Sequence, residues 1–160
     1  MYKSAGLLLS SLLCSLLSSG QLQEVEMTKA DWITAGEVKW LGKTKASLKY
    51  SMRKDDTTYL LHMQDEEKLK NNRDMTVVKY FSIRFSGQDN TAGKLYELFI
   101  SFFTPENRRK KEFQKVLKLG DEMLHIQHYG KLTGPAIMVS TKENHIILTQ
   151  KEINKLFGKQ

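Results

Sequence analysis

Cysteine, proline and long apolar runs are scarce in this chain of 160 residues. Its one cysteine, Cys14, lies within the first 20 residues, so the chain beyond the leader has no thiol. That excludes a disulfide framework, a cysteine-ligated zinc site and a thiol nucleophile from the mature part. After residue 20 no stretch approaches the roughly 20 apolar residues that a membrane-spanning helix needs. A polytopic membrane protein is therefore excluded. No Gly-x-Ser-x-Gly and no His-Glu-x-x-His occurs, and no repeat, low-complexity tract or linker divides the chain.

What is present begins with the leader, MYKSAGLLLSSLLCSLLSSG. Lys3 supplies a positive start, Ala5 to Leu17 is apolar apart from serines, and Ser18-Ser19-Gly20 puts small residues where a signal peptidase needs them. Residues 1–20 thus read as a signal peptide, and the protein as exported to a periplasmic or extracellular space. Retention on the membrane by an uncleaved leader, or by a lipid on Cys14, is the alternative. Leu13 stands where lipid attachment calls for a small residue. Losing Lys3 with the leader leaves 24 basic residues against 18 acidic ones, so the charge goes from +7 to +6.

Residues 21–35 are polar with weak periodicity and read as a flexible or partly helical lead-in; residues 36–160 read as a single α+β domain. Glu37 to Leu41 is a short strand ending at Gly42. The segments 46–53 and 58–63 form a hairpin around a four-residue turn at 54–57, which sets Leu48 opposite Met63, Tyr50 opposite Leu61 and Met52 opposite Tyr59. Lys49, Ser51, Arg53, Thr58 and His62 then share the polar side, because side chains alternate between faces. Residues 64–74 are a charged connection. The segments 75–86 and 95–103 pair as strands across a loop at 87–94, with Arg84 directly across from Glu97. Thr104 and Pro105 open a helix running to Leu119 and stopping at Gly120, with Phe113, Val116 and Leu117 as its core arc. Strands follow at 122–129, 137–141 and 145–148, with a turn at 131–136. Thr149 and Glu152 have capping-box spacing for a C-terminal helix over 150–157. The fold expected is a mostly antiparallel curved sheet or partly closed barrel of about eight strands, with one packed helix at 105–119 and the short C-terminal helix. A β-sandwich is the alternative.

Three motifs invite functional readings. Gly87 to Lys94 resembles a phosphate-binding loop, but five residues separate its glycines where four are required, and Leu95 follows the lysine. His125 and His128 could chelate a metal on a helix; on a strand they point to opposite faces. No metal or cofactor is expected. The basic run from Glu106 to Lys118 is the one positive signal. On the expected helix, Arg108, Lys111, Lys115 and Lys118 line the side away from the core, an electrostatic patch for an anionic partner. The function expected is thus a small exported non-enzymatic binding module whose partner is a protein, a small ligand or an anionic polymer. The alternatives are a secreted hydrolase built from His62, His125, His128 or His145 with a carboxylate, and a self-associating envelope component.

Overall fold

The computed structural model describes residues 31–54, 56–70, 76–131 and 134–159. The proposed leader and most of the lead-in lie outside these residues. Four strands, β1 (Ile33–Trp40), β2 (Lys43–Arg53), β3 (Asp56–Lys70) and β4 (Thr76–Ser86), form an antiparallel sheet in chain order. Leu41 and Gly42 turn β1 into β2 with φ of 49° and 76°, the left-handed pair that matches strand twist in a two-residue hairpin.

The β2–β3 hairpin forms, in a register two residues away from the expected one. Leu48 pairs with Leu61 and Tyr50 with Tyr59, and Arg53 pairs with Asp56 across a two-residue connection. Lys54 accepts the left-handed conformation at φ 52°, which makes the shorter turn possible. A shift of two leaves every side chain on its expected face, because the alternation has period two. β3 also continues to Lys70, through the expected connection, with a bulge between Gln64 and Lys68 opposite β4.

The second sheet orders β5 (Gln114–Leu119), β6 (Glu122–Lys131), β7 (Gly134–Ser140) and β8 (His145–Thr149) as another antiparallel meander. Gly120 turns β5 into β6 at φ 60°, and a Cβ there would collide with the Arg84 carbonyl. The helices are α1 (Thr91–Ser101), the single turn α2 (Pro105–Arg108) and α3 (Gln150–Leu156). Four strands followed by a helix therefore occur twice. The two sheets stay separate and do not close into a barrel. Their inner faces share one core with α1 and α3, to which Leu48, Ile83, Phe99, Leu124, Leu148 and Ile153 all contribute.

Beyond the register and the connection, two further expectations fail. The segment 95–103 is not a strand: α1 covers most of it, and Arg84 and Glu97 are not a cross-strand pair. Arg84 stands opposite Leu60, its guanidinium 5.9 Å from the Trp32 ring centroid. The buried residues here are Leu95, Phe99, Phe102 and Phe103, spaced by four, three and one, which is helical. Tyr96, Leu98 and Ile100, the face that alternation would bury, are only partly covered. Nor is there a helix over 105–119. Thr104 caps α2 as expected, accepting from the Asn107 amide, but the helix ends at Arg108. Continuing it would set Arg108 and Lys111 three apart on one helix surface, where like charges repel. Instead β5 ladders with β6, and Leu117 and Leu119 turn inward while Val116 is 63% exposed. The C-terminal helix forms as expected, with a complete Thr149–Glu152 capping box.

Candidate functional site

The four basic residues expected on one helix face do not share an element. Arg108 closes α2, Lys111 lies in the turn after it, and Lys115 and Lys118 are on β5. Residues three apart on a strand face opposite ways. Lys115 lies on the Phe113 side, its Nζ 5.3 Å from that ring centroid, while Lys118 stands opposite Met123 on the other face. All four are exposed.

The histidines have separate partners. His62 Nδ1 lies 2.8 Å from Ser82 Oγ, His125 Nε2 2.9 Å from Gln114 Oε1, and His128 Nε2 3.1 Å from the Asn107 carbonyl. His145 Nδ1 lies 3.8 Å from Asp65 Oδ1. His128 packs edge-on to Phe102 on the core side, away from His125, as strand geometry requires. Among the described residues no three His, Cys, Asp or Glu side chains are grouped to hold a metal ion.

The first sheet carries a hollow of about 460 Å³ on its outer face. Its origin is a register shift in β2. Val38 pairs with Ala46 but Lys39 pairs with Thr44, which leaves Lys45 as an extra residue. Such a bulge re-aims the side chains around it. Lys45 turns under the sheet, donating to the Ile147 carbonyl at 2.7 Å and to Glu152 Oε1 at 2.8 Å. Thr44 comes to the outer face, where its hydroxyl donates to Glu37 Oε1 at 2.6 Å. Ser47, 3% exposed, lies between these walls. From β4 Tyr80 reaches across and donates to the Thr44 carbonyl at 3.2 Å. The His62 ring stacks on Tyr80, centroids 5.0 Å apart and planes within 7°.

The charges in the hollow are unbalanced. Glu37 is held below the usual carboxylate range by the Thr44 hydrogen bond first, then by Lys39, 3.0 Å from its other oxygen. Its charge is thus already matched. Burial, and then the nearby Lys49 charge, hold His62 below the ordinary imidazole value, which favours the neutral ring at pH 7. Lys43 and Lys49 line the same hollow and form no ion pair among the described residues. The site offers two lysines outside any direct ion pair, of which Lys49 still acts on Glu37 through its charge, together with hydroxyls and a flat aromatic wall. Lys49 and His62 were legible as neighbours on the polar side of the hairpin. The hollow itself was not, because it needs the bulge and the arrival of Tyr80 from β4.

A second feature is Asp65, whose side chain is fully buried. Alternation from Leu61 and Met63 carries it inward. Its Oδ1 accepts from the amides of Glu67 and His145, each at 3.2 Å, and Lys79 Nζ lies 3.5 Å from Oδ2. A carboxylate on the β3 bulge thus holds the first residue of β8, joining two sheets that share no ladder.

No protein family's sequence profile matches the chain, and no curated protein or solved structure is significantly similar to it.

Proposed function

We propose that this protein is an exported, non-enzymatic binding module, with residues 1–20 as its leader. Its ligand is a small anion, a carboxylate or phosphate compound, seated in the hollow on the outer face of the first sheet. The observation that carries this reading is the pair of lysines, Lys43 and Lys49, which line the hollow without a direct ion pair beside a His62 ring stacked on Tyr80 and held toward its neutral form. A half-buried Lys49 and an exposed Lys43, facing hydroxyls and an aromatic wall, give an anion both charge and orientation. This replaces the basic helix, whose residues lie on separate elements, as the address for an anionic partner. Of the hydrolase constellation, one histidine and one carboxylate are in contact, His145 and Asp65.

The proposal is tested by titrating the His62 ring by NMR, with and without millimolar inorganic phosphate or citrate. An anion beside Lys49 and His62 cancels the local positive field and favours the imidazolium, so the His62 pKa rises by about half a unit or more. Lys43→Gln with Lys49→Gln removes that response. A His62 titration that neither anion moves overturns the reading. The N-terminal sequence of the protein recovered from the culture medium or periplasm tests export and removal of residues 1–20 directly.

A further inference from the structure

The β1–β2 hairpin ends in an apolar tip. Trp40 is 60% exposed and Leu41 80% exposed. Alternation puts Trp40 on the same side of β1 as Val38, which is 3% exposed, so the hairpin runs past the end of the core. Leu41 also occupies a position that disfavours it. Its φ of 49° lies in the left-handed region, and the first position of this kind of turn is normally filled by Asn, Asp or Gly. Backbone strain and solvent exposure oppose leucine at the same residue, and none of the folded core gains from it. Strained residues of this kind mark sites where the side chain is used.

The charge around the tip is net positive, although Lys39 is paired with Glu37 at 3.0 Å. Between Ile33 and Tyr50 there are four lysines, Lys39, Lys43, Lys45 and Lys49, against one acid, Glu37. Lys45 is turned under the sheet to Glu152, but Lys39 and Lys43 flank the apolar pair on either strand and are exposed. Lys43 stands directly across from Trp40.

We propose that this tip is a membrane anchor: Trp40 and Leu41 insert at the interface of an anionic phospholipid bilayer while Lys39 and Lys43 meet the headgroups. An indole is at home at that depth, with its ring against acyl chains and its N–H in the hydrated layer. Lysine stems extend along the apolar surface and leave their ammonium groups at the phosphates. The net positive charge, +7 for the whole chain and +6 without residues 1–20, draws it toward such a surface before contact. The anchor is shallow and reversible, since two side chains bury little area. It shares Lys43 with the hollow, but Trp40 and Leu41 do not line it, and Leu41→Asn therefore separates vesicle binding from anion binding there.

The experiment uses the full chain carrying Trp32→Phe, which leaves Trp40 as the sole tryptophan. Vesicles of phosphatidylcholine with roughly one-third phosphatidylglycerol are compared with phosphatidylcholine alone. The expected result is a blue shift of Trp40 emission with the anionic vesicles, quenching by brominated acyl chains, and reversal by salt. Leu41→Asn suits the turn better than leucine, so it folds at least as well, yet it weakens vesicle affinity by about tenfold. Lys43→Gln weakens it by about fivefold. Three outcomes overturn the proposal. One is Trp40 emission unchanged by anionic vesicles. Another is vesicle binding, through the apolar leader, that brominated lipid does not report at Trp40. The last is a blue shift that follows protein concentration without lipid, which assigns the tip to a second copy of the chain.

Discussion

The two halves of the molecule have the same element order and stabilise their closing helices by different means. In the first half α1 begins after Asn90, which is in the left-handed conformation and makes no side-chain cap. Leu95 and Phe99 on α1, with Phe102 and Phe103 just beyond it, are buried in the common core. In the second half α3 spans only Gln150–Leu156, yet it opens on a complete capping box. The Thr149 hydroxyl accepts from the Glu152 amide at 3.3 Å, and Glu152 Oε2 accepts from the Thr149 amide at 2.8 Å. One helix depends on apolar residues alone, whose partners are distant in the chain. The other also buries Ile153 and Leu156 but adds a start signal held in four consecutive residues. The helices touch where Tyr96 donates to Asn154 Oδ1 at 3.2 Å and Phe99 meets the edge of Phe157.

The largest expected effect tests the first mode. Phe99→Ala costs about 3–5 kcal/mol in urea unfolding, because a fully buried ring leaves a cavity behind. A loss below about 1.5 kcal/mol would erase the distinction between the halves. Next is the joint between them. Asp65→Ala removes a buried carboxylate that accepts from two backbone amides and faces Lys79, and is expected to cost about 3 kcal/mol. If the halves were merely adjacent, this substitution would cost no more than an exposed one. The second mode is weaker: Thr149→Ala costs about 1 kcal/mol, the usual value of an N-cap.

The cap also has a pH signature. Burial acts to raise the pKa of Glu152. The hydrogen bond and charge of Lys45, together with the Thr149 amide and hydroxyl, outweigh it and leave the carboxyl below its ordinary value of 4.5. As pH falls the unfolded chain therefore takes up this proton first. The contribution of Glu152 is complete above about pH 4.5 and is lost as pH drops through the lower folded-state value. Glu152→Gln should flatten the fall of unfolding free energy between neutral and acidic pH, and an unchanged slope would show that α3 does not depend on the charge. The smallest effect has the opposite sign: Leu41→Asn relieves the left-handed leucine and should stabilise the chain by about 0.5 kcal/mol.

The same contrast explains which elements were legible. α3 was readable because Thr149 and Glu152 signal it locally. The faces of β2 and β3 were readable because a mistake of two residues in register preserves parity. α1 was not, since LYELFISFF satisfies both the strand and the helix period, and only the burial of Phe99 and Phe102 separates them. β5 was misread for the converse reason: Thr104-Pro105 does start a helix, but pairing with β6 takes over after one turn. The candidate site divides likewise. Lys49 and His62 belong to one strand pair and could be placed together by alternation. Lys43, Glu37 and Tyr80 join them only through a bulge at Lys45 whose cause lies in Glu152 and the Ile147 carbonyl, more than a hundred residues away.

The sequence by itself determined the antiparallel character of the chain, the faces of its clearest hairpin, the capped C-terminal helix and the absence of any thiol beyond Cys14. Those properties follow from composition, from period-two alternation and from contacts between residues a few positions apart. The tertiary structure decided the rest: that apolar residues 95–103 coil, that residues 114–119 extend, that Asp65 spans two sheets, and that lysines outside any direct ion pair collect in one hollow. Each of these depends on which distant surface is available to bury a side chain or receive a hydrogen bond, and that surface does not exist until the two halves close on their common core.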